Sequence, residues 1–77
     1  MITKKFSIKD LNKALASKRL ASHVKSHVNR GDMSTATRLG YQMDRAVNAI
    51  NDERLFYNTM FFIVMPAYES LTKKGSK

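Results

Sequence analysis

The chain has no cysteine and no tryptophan, a single proline, three glycines and only six acidic residues in 77. Without cysteine, a disulfide framework and any Cys-based zinc site are excluded, so the usual staples of a very small protein are missing. No apolar run approaches the roughly 20 residues that a membrane span needs. None follows the N-terminal lysines as a secretory signal requires, so the expectation is a cytoplasmic protein that makes no use of a membrane. A Gly-rich phosphate loop, a nucleophile elbow and a carboxylate pair at useful spacing are also lacking. We therefore expect a binding protein with no catalytic residues and no cofactor.

The composition that remains, 43% hydrophobic and 26% charged, is that of a folded chain. One domain over 1–77 is the expected count, at a size where a single core barely offsets chain entropy. Scarcity of acid leaves 14 Lys and Arg and a net charge of +8, which points to an anionic partner, either nucleic acid or an acidic protein surface. The charge is unevenly placed. Residues 1–30 carry eight cations against Asp10 alone, a net of +7, whereas residues 31–72 carry three arginines against five acids. Lys73, Lys74 and Lys77 make the tail basic again, and both ends, 1–6 and 73–77, read as flexible.

Hydrophobic periodicity predicts an all-α fold, a small bundle of three to four helices at about 8–16, 18–29, 34–50 and 53–65 with a kink at Pro66. Ser7-Ile8-Lys9-Asp10 fits a capping box, followed by Ile8, Leu11, Ala14 and Leu15 on one face. Leu20, Ala21, Val24 and Val28 form a second stripe whose centre is rotated by about 130° from the first, at about 100° per residue. The simplest resolution is a break near Ala16–Lys18 with Ser17 as a new cap, the alternative being one helix packed on two neighbours. Arg30-Gly31-Asp32-Met33 reads as an inter-helix turn, with Ser34 capping the next helix. That helix has inward positions Ala36, Leu39, Gly40, Met43, Ala46, Val47 and Ile50, and Ala36 with Gly40 makes a groove of small residues for close approach.

From Leu55 to Tyr68 apolar side chains cover every side of a helix, and five of the seven aromatics fall in this stretch. A helix apolar all round must be buried all round, and so short a chain can hardly surround it. The segment therefore reads as a shared interface, either a homodimer or a hetero-complex, through Phe56, Met60, Phe61, Phe62, Ile63, Met65 and Tyr68. A β-strand at Met60–Met65 and membrane insertion are the competing readings; Asn58, Thr59 and Pro66 leave the run short for the latter. Pro66 should end or kink the helix, with Ala67–Leu71 resuming for one turn.

The binding residues are expected on the second basic stretch. Lys18, Ser22, Lys25 and Asn29 align at helical spacing beside a row of Arg19, Ser26 and Arg30, and both rows are placed opposite the apolar stripe of Leu20, Ala21, Val24 and Val28. A helix-turn-helix version would add Thr35, Arg38, Gln42 and Arg45 as readers of base edges. His23 and His27 stand four apart, but Val24 sits where a zincin needs Glu and no third ligand is evident, so no metal is expected. Two functions are consistent with this pattern. One is a nucleic-acid-binding module using Lys18, Arg19, Lys25 and Arg30. The other is a small regulator, an inhibitor or adaptor of the kind encoded by phages and mobile elements, docking on a nucleic-acid-processing host protein.

Overall fold

The structure is a computed structural model that describes residues 7–75, and among these it is an all-α bundle without strands. Helix α1 spans Ile8–Arg30, α2 spans Met33–Asn48, and α3 spans Glu53–Thr59. A π-helical segment, Met60–Val64, joins α3 directly to α4, Met65–Gly75, so the last three elements form one uninterrupted helical rod. The basic end at 1–6 lies outside the described residues, as do Ser76 and Lys77, while residues 73–75 complete α4.

Helix α1 corrects the expected break at Ala16–Lys18. It runs for 23 residues, about 34 Å at 1.5 Å per residue. Its buried stripe is Asp10, Ala14, Ser17, Ala21, Val24 and Val28, at alternating intervals of four and three. Two of these six are polar, so the first half of the helix shows its inward face poorly, and the exposed Ile8, Leu11 and Leu15 supply a second, misleading apolar stripe. Ser17 is no cap. It is fully buried and its hydroxyl donates to the Lys13 carbonyl at 3.0 Å, which satisfies it inside the helix. Ile8, Leu11 and Leu15, expected to face inward, are exposed.

Helix α1 opens on Ser7, whose Oγ accepts from the Asp10 amide at 3.1 Å. The reciprocal half of a capping box is absent because the Asp10 carboxylate turns to another element. Its Oδ1 accepts from the Asn51 amide at 3.2 Å and its Oδ2 from the Asp52 amide at 3.0 Å. One turn on, Lys13 Nζ donates to the Ala49 carbonyl at 2.8 Å. The start of α1 is thereby fastened to the end of α2 and the beginning of α3. Asp52 in turn caps α3, accepting from the Leu55 amide at 2.9 Å, while its buried Oδ2 meets no partner among the described residues.

At the other end Gly31 adopts φ 84°, and the Gly31 and Asp32 amides close back on the carbonyls of Val28 and His27, which is a Schellman termination. Asp32, not Ser34, caps α2 by accepting from the Thr35 amide at 3.2 Å. A two-residue connection is thus enough. Helix α2 buries Ala36, Gly40, Met43 and Val47 as expected, and ends at Asn48, leaving Ile50 buried in the connection beyond it. Contacts between the Asp10–Lys13 turn and residues 49–52 show that α1 and α2 run antiparallel along their length. That is an αα-hairpin, not the steep crossing of a helix-turn-helix.

Residues 60–65 are helical, so the strand reading is set aside, and Pro66 neither ends the helix nor limits the chain beyond it to one turn. In a regular α-helix its ring would crowd the carbonyl four residues back, and its missing N–H would leave that carbonyl unpaired. The π turn relieves this by widening the backbone: the Met65 amide bonds to the Met60 carbonyl, five residues earlier. The wider turn also sets the register. Thr59 and Val64 are both buried although five residues apart, and Ala67 follows on the same side. The core packs Ala21, Val24, Val28, Ala36, Met43, Val47, Val64 and Ala67 together. Tyr68 rests on Gly40, donating its hydroxyl to the Gly40 carbonyl at 3.2 Å, so the Ala36–Gly40 groove does receive a neighbouring helix.

Candidate nucleic-acid interface

The basic row on α1 stands elsewhere than the sequence suggested. Lys18, Ser22, Lys25 and Asn29 each follow by one residue the buried Ser17, Ala21, Val24 and Val28, so they lie about 100° round the helix from the core. They flank the core instead of opposing it. Arg19, Ser26 and Arg30, one residue further on, take the outward face. Lys18, Arg19 and Lys25 are exposed and make no ion pair among the described residues. Between Leu11 and Gly31 the chain has no acid at all.

Because the lysine row flanks the core, it meets the helical rod that packs on α1. Lys18, Ser22 and Lys25 form one wall of a shallow groove of about 220 Å³; Phe62 and Pro66 form the other, one helical turn apart. Ala21 and Ile63 contribute between them. Cations and an aromatic ring that lie about 40 residues apart in sequence thus border one depression.

Arg30 is differently placed. Its Nη2 lies 2.9 Å from His27 Nδ1, and that same nitrogen lies 3.4 Å from Asp32 Oδ2. Nδ1 can accept from Arg30 only without a proton and can donate to Asp32 only with one, so the two contacts are alternatives. Hydrogen bonds from the Thr35 side chain and backbone hold the Asp32 carboxyl below its ordinary range. Arg30 belongs to the α1–α2 turn as much as to the basic face. His23 is exposed, and no group of three or more His, Cys, Asp or Glu among the described residues is arranged to hold a metal.

Arg38, Gln42 and Arg45 are exposed along one row of α2, each two residues beyond a buried position and so on the side away from the core. They do not border the groove of Lys18 and Lys25.

The proposed interface residues divide. Phe56, Met60, Ile63 and Tyr68 are partly buried and pack against the core. Burial, followed by the nearby Asp44 charge and Tyr41, pushes the Tyr68 phenol above its ordinary pKa, in keeping with its role as a neutral donor to Gly40. Phe61, Phe62 and Met65 are exposed. So is Tyr57, which stacks on Phe61 with ring centroids 6.5 Å apart. The interface set read from the sequence leaves out Tyr57, although it belongs to the same all-round apolar stretch and its spacing of four from Phe61 was the available signal. No aromatic ring among the described residues is buried. No helix among them is long and apolar enough to cross a membrane. No family model, curated protein or solved structure matches the chain.

Proposed function

We propose that this is a small cytoplasmic nucleic-acid-binding protein, without catalytic activity of its own, that grips the phosphate backbone through the α1 face of Lys18, Arg19 and Lys25 with Arg30 at its end. The observation that supports this reading most is the run of cations on a 23-residue helix with no acid between Leu11 and Gly31, in which Lys18, Arg19 and Lys25 make no ion pair among the described residues. A continuous helix keeps these charges at fixed spacing, so that phosphates can be met without first ordering a loop. Counterion release supplies the affinity and makes it fall with salt.

The test compares two charge-neutralising pairs of equal size. Lys18→Gln with Lys25→Gln, and Arg38→Gln with Arg45→Gln, each remove two cations, so a general charge effect would weaken both alike. Binding of short duplex DNA, single strands and RNA is followed against salt. The α1 pair should lower affinity more and reduce the slope of log K against log salt by about two. An α1 pair that binds like wild type sinks the proposal.

A second reading draws on the exposed stripe of Tyr57, Phe61 and Met65. Three large apolar side chains at intervals of four on one helix suit an α-helical groove on a partner, or a second copy of this chain. In that reading the protein is a regulator, an inhibitor or adaptor docked on a nucleic-acid-processing protein, with the basic face meeting the partner's acidic surface.

A further inference from the structure

We infer that the groove between α1 and the π segment takes single-stranded nucleic acid, with one base stacked on Phe62 and the adjoining phosphates held by Lys18 and Lys25. This rests on the nucleic-acid reading above and adds to it the strandedness of the ligand and an aromatic contact.

Three observations combine. Phe62 is 78% exposed, the most open of the described aromatics, and it stands on the groove's edge. An open ring offers a π-face to any unstacked base, which is how sequence-tolerant single-strand binding works. Across the groove, Lys18 and Lys25 are seven residues apart, about 10 Å along the helix axis. Ser22 stands between them, able to donate to a phosphate or a base edge. The floor is apolar, through Ala21 and Ile63, so a flat hydrophobic base can sit lower than its charged backbone.

Charge chooses among the possible occupants. Among the described residues, the only ionisable side chains bordering the groove are the two lysines, so the complementary ligand is anionic. A second copy of the chain would bring its own +8 and its own Lys18 and Lys25 to the same place. Duplex DNA meets the charge requirement, but its bases are stacked and paired, leaving Phe62 unused. A single strand uses the lysines and the ring together.

The groove's origin lies in Pro66. The π turn that accommodates the proline carries Phe62 and Ile63, and it places Phe62 one turn before Pro66 along the wall facing α1. Both ends of the wall are therefore fixed by the same backbone device.

The experiment measures binding of labelled oligo(dT), of the matching dT·dA duplex and of poly-L-glutamate to wild type, Phe62→Ala and Lys18→Gln/Lys25→Gln. Circular dichroism melting confirms that the variants fold, which the exposure of all three side chains favours. Phe62→Ala should weaken oligo(dT) binding roughly 5- to 100-fold and leave the duplex unchanged. Phe62→Trp introduces the chain's only indole, whose emission should be quenched by oligo(dT) but not by polyglutamate. If oligo(dT) and duplex both bind through the lysines and Phe62→Ala alters neither, the stacking inference fails while the nucleic-acid reading stands. Failure of every nucleic acid to bind removes both. Binding of polyglutamate as tight as that of oligo(dT), with equal effect on the indole, would assign the groove to an acidic polypeptide.

Discussion

Asp10 and Asp52 are two buried carboxylates joined through one backbone amide, yet they stand in opposite energetic positions. Both Asp10 oxygens accept from amides of the α2–α3 connection, at 3.2 and 3.0 Å, so its burial at 4% exposure is compensated. Removing it strands two N–H groups and loosens the corner where all three helical rods meet. We predict that Asp10→Ala lowers stability by about 1–3 kcal/mol, read as a shift of the urea midpoint at unchanged slope. Asp52 uses only one oxygen as a cap, and the other is buried without a partner among the described residues. Asp52→Ser keeps a hydroxyl for the Leu55 amide and deletes the unsatisfied oxygen together with its charge. That variant should match or exceed wild-type stability. A loss for Asp52→Ser equal to that for Asp10→Ala would mean that a further partner holds the second oxygen.

The elements differ in how openly the sequence announced them, and the difference is physical. Helix α2 was legible because every inward position from Ala36 to Val47 is apolar or glycine. Helix α1 reads as two because Ile8, Leu11 and Leu15 make an apolar row that faces solvent, while two inward positions of that half, Asp10 and Ser17, are polar and satisfied by contacts that periodicity cannot register. The lysine row read as opposite the apolar stripe although Lys18, Ser22, Lys25 and Asn29 each stand one residue, about 100°, from Ser17, Ala21, Val24 and Val28, and that misplacement hid its meeting with Phe62. In the last rod, hydrophobicity on all sides gave no preferred face. Its orientation comes from the π turn at Pro66 and one close approach, that of Tyr68 to Gly40. A Cβ added at Gly40 would lie 3.3 Å from Tyr68 Cε1 and 3.6 Å from Leu71 Cδ1. Alanine improves helix propensity by about 1 kcal/mol, while the half-buried Tyr68 ring must yield by a few tenths of an ångström. These oppose each other, and we expect Gly40→Ala within about 0.5 kcal/mol of wild type. Gly40→Leu gains nearly the same propensity but overfills the contact, and should cost about 1–3 kcal/mol by forcing α4 off α2. Thermal melts of the pair check this; a leucine variant melting with wild type would show that α4 does not depend on the Gly40 contact.

At the scale of the whole molecule, a body of 44 × 20 × 14 Å is too thin to enclose its own aromatics. The core is filled by valine, alanine and methionine, and the larger rings remain at the rim. Exposed Tyr57, Phe61 and Met65 favour association, while a net charge of +8 opposes it between identical copies. Salt separates the two tendencies. Raising ionic strength shortens the Debye length from about 10 Å at 0.1 M to about 3 Å at 1 M, which removes repulsion between copies and leaves the apolar contact intact. Self-association through the aromatic stripe should therefore strengthen as salt rises, whereas nucleic-acid binding through α1 weakens. Sedimentation of the free protein at low and high salt should show mass increasing with ionic strength, and Phe61→Ser should abolish the increase. A single mass at every ionic strength would leave the stripe to a different protein, because then screening the charge exposes no affinity of the chain for itself.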